Sequence, residues 1–198
     1  HWSPSRGGAR FCCAQHLAGM GCCCPKSEPP PPAFDPVIGL SDKFKAAGVQ
    51  VQGSAISGNG SVLGDSPVLQ DKAYFEVTIV EPGSFAVGLA TKETPLDGVL
   101  SQDKAATAWT LTSSLQALGP IQGGEVIGIA LDQGDYPVQV YFYRDGKVIH
   151  QISGIRGEVL PAFSVSDGAV LEANFGGKDY PKGIPAGFQG IIKATSLM

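Results

Sequence analysis

The stretch YFEVTIVEPGSFAVGLAT, residues 74–91, carries the clearest structural pattern in the chain. In its first half Phe75, Val77 and Ile79 fall on one side of an extended backbone, and Tyr74, Glu76 and Thr78 fall on the other. That is a period of two in β-branched and aromatic residues, the mark of a strand. Glu81, Pro82, Gly83 and Ser84 then read as a turn closing a hairpin. Proline presets φ at the second position, and glycine accepts the positive φ that a type II turn needs at the third. The second half sets Phe85, Val87 and Leu89 against Ala86, Gly88 and Ala90. Large residues on one face and tiny ones on the other predict a second layer lying close to the backbone.

Working outward, the same alternation recurs in short runs. Residues 49–52 and 55–57 read as strands, with Gly58, Asn59 and Gly60 as a loop tip. This G-x-G is no dinucleotide fingerprint, because Leu63 stands where the third glycine belongs and no helix follows. Before it, residues 37–40 are expected to form a short strand and residues 43–47 a helical turn at most. Residues 94–107 are polar and interrupted by Pro95 and Gly98, a long connection of the kind that is often functional. Strands are expected at 108–111, at EVIGIALD (125–132) and at 138–143. Asp145-Gly146 is the residue pair of a two-residue type I′ hairpin turn into Val148 and Ile149. Further strands are expected at 159–165 and 170–175, and a last one near Ile191 and Ile192. Many short strands at near-regular spacing indicate an antiparallel sandwich or barrel.

Composition agrees. The chain of 198 residues has 27 glycines and 15 prolines and lacks extended helical periodicity. No run of about 18 apolar residues offers a membrane-spanning helix. The net charge is −4, and from Phe34 onward 11 basic residues stand against 17 acidic ones, a balance of −6. With no basic patch, nucleic acid is excluded as the expected partner. All five cysteines, Cys12, Cys13, Cys22, Cys23 and Cys24, precede Pro25. A disulfide scaffold would spread cysteines through its core, so a reducing, cytoplasmic setting is expected. The first residues also lack the apolar core of a secretory signal.

Residues 1–33 read as an unfolded Cys/Pro-rich tail ahead of a single domain, residues 34–198. Pro29 to Pro32 form a tetraproline, which favours an extended polyproline II spacer. The expected start of translation is Met20, with residues 1–19 untranslated sequence read through in frame. Removing Met20 would expose Gly21 followed by Cys22, Cys23 and Cys24, a layout suited to N-myristoylation with S-palmitoylation. Pro25 departs from the usual myristoylation pattern, which has Ser or Thr there; palmitoylation of the cysteines does not depend on it. Peripheral membrane contact through such a lipid anchor is therefore expected.

Several motifs occur in a fixed order: YFEV (74–77), VGLAT (87–91), AW (108–109), VIGIALD (126–132), VYFYRDGK (140–147), LPAFSV (160–165) and NFG (174–176). Together they resemble the SPRY domain over roughly residues 49–188. The run SGIRGEVLPAFSVSDGAVLEANF (153–175) and the later PAGF (185–188) are similar to small, single-domain members of that family. The resemblance implies a bent two-sheet antiparallel β-sandwich and a non-enzymatic module that binds a peptide or protein surface through loops. No SOCS-box, RING or B-box sequence accompanies it, so a ligase role is not implied. The framework motifs build the core and do not identify the ligand.

Reactive residues are few. Of the three histidines only His150 lies in the domain, on an expected edge strand, and no G-x-S-x-G elbow exists to make a nucleophile for it. Asp132 and Asp135 flank Gln-Gly and read as a turn without EF-hand spacing. Cys12, Cys13, His16 and Cys22 to Cys24 lack C-x-x-C spacing and a folded frame for zinc. No catalytic residue, metal or cofactor is therefore assigned. Arg144 is expected to be solvated beside its turn. Arg156, between Gly154 and Gly157, is read either as a loop anchor or as a ligand contact. The partner-binding candidates lie on residues 52–61, 94–107 and 133–137: Ser57, Asn59, Asp97, Asp103, Asp135 and Tyr136, with Arg156. The expectation is a monomeric recognition domain. The alternative is a soluble scaffold component of a larger assembly, and a sandwich-fold hydrolase or lectin is less favoured.

Overall fold

The computed structural model describes residues 38–101 and 107–193. The strands in chain order are β1 Leu40–Lys45, β2 Val49–Gln52, β3 Ala55–Gly58, β4 Gly60–Gly64, β5 Lys72–Glu81, β6 Ser84–Ala90 and β7 Ala108–Thr112. They continue as β8 Glu125–Asp132, β9 Gln139–Arg144, β10 Lys147–Ser153, β11 Leu160–Ser166, β12 Val170–Asn174 and β13 Gln189–Gly190. Among the described residues the only helical element is a 3-10 turn, Gln116–Leu118. One sheet runs β1-β4-β11-β6-β7; the other runs β10-β9-β8-β5-β12-β3-β2 and carries β13 beside β5. Every pairing is antiparallel except the parallel pair of β13 with β5. The expected all-β sandwich is what forms.

Residues 74–91 are its hinge, although not as a hairpin. β5 pairs with β8 and β12, whereas β6 pairs with β11 and β7, so the chain crosses from one sheet to the other between them. The two large-residue faces thereby meet in one inter-sheet core. Phe75, Val77, Phe85, Val87, Leu89, Ile127, Ile129, Phe142 and Phe163 all belong to it. Edge-to-face packing of Phe75 with Phe163 (6.0 Å) and of Phe163 with Phe175 (5.9 Å) ties the two layers. Gly83 is not among the positive-φ residues. A Cβ there would lie 2.6 Å from the Ala169 nitrogen and 2.8 Å from the Asp167 carbonyl oxygen. Glycine is needed at the crossing for close backbone approach, and not for the type II geometry expected of it.

The small face of β6 carries the predicted second layer. Ala86 and Ala90 are buried with Leu63, Leu100, Leu160 and Ala162, and Phe44, Leu96 and Val99 pack against them. The connection after β6 thus crosses the outer face of its sheet. It is held by Ser61 N–H to the Leu96 carbonyl (2.9 Å), Ser61 Oγ to the Gly98 carbonyl (2.5 Å) and Leu100 N–H to Ser164 Oγ (3.0 Å).

Four local expectations are revised. Lys43 to Lys45 continue strand β1 and form no helical turn. Gly60, read as the end of a loop tip, instead begins the fully buried strand β4, Gly60–Gly64, where no strand was expected. Burial on both faces removes the alternation that would have marked it. The last strand is Gln189–Gly190, just before the expected pair of isoleucines. Arg144 is half-buried: it donates to the carbonyls of Leu118 and of Pro120 (3.2 Å) and pairs with Glu125 (2.7 Å). It therefore fastens the connection after β7 to β9. The Asp145-Gly146 turn forms as expected, with φ of 52° and 74°.

The segment after β12 straps the outer face of the larger sheet. Tyr180 packs edge-on to Tyr74 (5.3 Å), Phe188 packs on Tyr141 (6.4 Å), and Ile191 N–H donates to the Tyr74 carbonyl (3.0 Å). Beneath it lies Glu76, only 2% exposed, which accepts a hydrogen bond from the Tyr74 hydroxyl at 2.7 Å. Burial holds the Glu76 carboxyl above its usual range, although the Tyr74 hydrogen bond opposes the shift.

Candidate functional site

Strand register divides the connections between two ends. Lys72 lies opposite Asp132, and Asp132 opposite Gln139, so the start of β5, the end of β8 and the start of β9 share one end. Leu160 opposite Ala90 puts the start of β11 and the end of β6 there too, since β6 begins where β5 finishes. At the opposite end sit the short links at 82–83, 145–146 and 167–169. Whereas the connection 113–124 also lies at that opposite end, the connections 65–71, 133–138 and 154–159 gather at the first.

Those loops are stitched into one rim. The Gln133 amide donates to the carbonyls of Val68 (3.0 Å) and Gln70 (2.9 Å), and its backbone N–H to that of Asp71 (2.6 Å). Val68 N–H reaches the Val159 carbonyl (2.9 Å), while Gly154 and Ile155 N–H both reach the Val138 carbonyl (2.9 and 3.4 Å). Lys92 pairs with Glu158. Underneath, Val68, Ile155 and Val159 are buried in the inter-sheet core, so the rim stands on a packed base. On top, Tyr136 is 87% exposed and Leu69 is 64% exposed. Arg156 is exposed as well, and among the described residues its side chain has no hydrogen bond or ion pair. A tyrosine and an arginine on a backbone fixed from below are residue types that dominate protein interfaces, here in a preorganised setting, and Leu69 adds apolar area beside them.

Beside Tyr136 and Leu69 opens a cleft of about 490 Å³ lined by Gln70, Asp71, Lys72, Gly134, Asp135, Gly187 and Gln189. Asp132 closes one side by accepting the Lys72 ammonium at 2.7 Å and Gly134 N–H at 3.1 Å. That hydrogen bond, followed by the field of Asp132 and Asp135, holds the Lys72 ammonium above its usual range. Lys72 also lies over the Phe188 ring, 5.7 Å from its centroid.

The sequence candidates scatter. Asp135, Tyr136 and Arg156 come together on the rim, and among the described residues the Arg156 side chain makes no hydrogen bond or ion pair that would anchor its loop. Ser57 is half-buried in β3, opposite Gln50. Asn59 is exposed at the opposite end, its N–H bonded to the Gly48 carbonyl. Asp97 is exposed on the segment crossing the smaller sheet. The three candidate segments therefore do not share one end. Asp103 lies outside the described residues, as do Gly21, Cys22, Cys23 and Cys24. His150 sits on edge strand β10, its ring 5.9 Å from that of Phe142. Among the described residues no group of three or more His, Cys, Asp or Glu side chains is placed to hold a metal ion. Sequence reasoning missed Leu69, and it placed Gln133 in a candidate segment without its role of bracing residues 68–71. Val68-Leu69, set between Ser66-Pro67 and Gln70-Asp71, has no periodicity to mark which of the two is buried, and only the fold shows that Leu69 faces solvent.

Residues 72–178 match the family described as SPRY domain. The chain is 30% identical to SPRY domain-containing protein 7 of Homo sapiens over 171 residues, covering 79% of this chain and 84% of that protein. It is 32% identical to SPRY domain-containing protein 7 of Gallus gallus over 152 residues, covering 71% of this chain and 74% of that one. With SPRY domain-containing protein 4 of Mus musculus it shares 29% identity over 133 residues, covering 62% and 63%. The sandwich, the ordered motifs and these matches agree: the chain belongs to the SPRY domain family, whose domains are generally protein-interaction modules.

Proposed function

We propose that this chain is a non-enzymatic, monomeric recognition domain that binds a peptide or protein surface through the loop rim of Leu69, Asp135, Tyr136 and Arg156. The observation that carries it is Tyr136, 87% exposed on a loop next to one braced by the Gln133 side chain. Burying such an aromatic on a partner gains area at low cost in conformational entropy. The acidic balance of the domain disfavours nucleic acid as that partner. The test is site-specific photocrosslinking in cells, with benzoylphenylalanine replacing Tyr136 in one protein and Asn59 in another. A discrete adduct from position 136, abolished from a neighbouring rim position by Tyr136→Ala, supports the reading. An adduct from position 59 with none from position 136 overturns it.

The same reading places the domain at the cytoplasmic face of a membrane, tethered by acylation of Cys22, Cys23 or Cys24, with Gly21 a second acceptor. Support comes from the run of three cysteines after Met20-Gly21, ahead of the proline spacer. One myristoyl chain binds membranes only marginally, with a constant of about 10⁴ M⁻¹, so holding requires a second acyl chain. Salt-resistant membrane pelleting, lost when the three cysteines become serines, is the expected outcome. Pelleting that salt removes, or that survives the substitution, points instead to a soluble scaffold component docked through the domain.

A further inference from the structure

The charges at the loop rim do not balance, and the imbalance specifies a partner. Lys193 pairs with Asp65, Lys72 with Asp132, and Lys92 with Glu158. Among the described residues Glu93 and Arg156 are also unpaired, but on the cleft itself Asp71 and Asp135 remain. Both are exposed, both line the cleft of about 490 Å³, and neither carboxylate has an ion pair or hydrogen bond among the described residues. The only cation lining the cleft, Lys72, is already engaged by Asp132 at 2.7 Å and lies against the Phe188 ring. Two carboxylates on a cleft wall, flanked by the exposed Leu69 and Tyr136, complement a positive side chain next to an apolar one.

We propose that this cleft receives a lysine or arginine side chain of the bound partner, with an adjacent apolar side chain of the same segment resting on Tyr136 and Leu69. The proposal rests on the recognition role of the rim and names the chemistry of what it recognises. The cleft's remaining lining suits the task. Gln70 is fixed, donating to the Gly190 carbonyl (3.0 Å) and accepting from Ile192 N–H (2.7 Å), so the wall is set before binding. The domain's balance of −6 draws a basic segment toward the site, an effect that salt screens. Arg156 is the opposing feature. It stands on the rim but does not line the cleft, and an acidic partner would dock there instead.

The experiment pans the full chain against a phage-displayed library of random dodecapeptides, then measures the selected synthetic peptides by fluorescence anisotropy at low and high salt. The expected peptides carry Lys or Arg beside Leu, Phe or Tyr. Their binding should fall with salt, and by roughly tenfold in the Asp71→Asn/Asp135→Asn double variant, as for two partly desolvated ion pairs. Tyr136→Ala should weaken them too. Selection of acidic peptides that lose affinity with Arg156→Ala and Tyr136→Ala, but not with the aspartate variant, overturns the basic partner while the rim stands. Basic peptides that keep full affinity in the aspartate variant overturn it as well. Peptides indifferent to Tyr136→Ala, or no selected peptide, overturn the rim and this proposal together.

Discussion

Phe163 shows how single residues hold the sandwich. It lies on β11, which bridges β4 and β6, and its ring meets Phe75 and Phe175 from the other layer. Phe163→Ala should leave a cavity that flanking strands, locked by hydrogen bonds on both sides, cannot close. A loss of about 3–5 kcal/mol in urea unfolding is expected; a loss below about 1 kcal/mol would mean that the layers are not packed through this ring. Such core residues were legible because large side chains recur at every second position of their strands, as at Phe85, Val87 and Leu89 or Phe163 and Val165. Arg144 and Gly83 were not, for a physical reason. The carbonyls that Arg144 binds belong to residues 118 and 120, and the backbone that excludes a Cβ at Gly83 belongs to residues 167 and 169. Neither neighbour is local in sequence, so propensity could describe only the turn and not what presses on it.

Among elements, the strap over β5 depends on a titrating group. Glu76 accepts a hydrogen bond from Tyr74 of its own strand, against whose ring pack the β9 residue Tyr143 and Tyr180 of the strap, while Asn174 of β12 lies opposite Glu76 in register. Glu172, Lys178 and Asp179 line the small cavity that it also lines. Burial raises its carboxyl above 4.5, so the folded state binds this proton more tightly than the unfolded one. Its contribution is present below that value and is lost as pH rises through the higher folded value. Glu172 runs the other way. The Lys178 hydrogen bond lowers its carboxyl, so its smaller, solvent-screened contribution is lost as pH falls. Urea midpoints followed from about pH 4.5 upward should therefore decline in the native chain. In Glu76→Gln the decline should be flattened; an unchanged slope would assign it to other groups. The strap itself was not foreseen beyond a last strand expected near Ile191 and Ile192. Its path is set by rings it meets on other strands. β4 was hidden for the complementary reason, being buried on both faces.

At the scale of the molecule, the family match begins at residue 72, yet the sandwich begins earlier. In the smaller sheet β11 has β4 on one side, and in the larger sheet β12 has β3. Both neighbours come from residues 38–71. So do the buried side chains Ile38, Val49, Ile56, Val62, Leu63 and Val68. A fragment spanning 72–178 would leave two long internal strands as open edges and remove one side of the core. It would also lack Leu69 and the carbonyls of Val68 and Gln70 that fix Gln133. Open hydrophobic edges invite pairing between chains. The fragment 38–193 should therefore unfold in urea with a single cooperative transition seen alike by tryptophan fluorescence and far-UV circular dichroism. The fragment 72–178 should show none and should self-associate. A sharp transition in 72–178 at the midpoint of the longer fragment would show that β1 to β4 are an accessory layer. The loop rim would then have to be sought without Leu69.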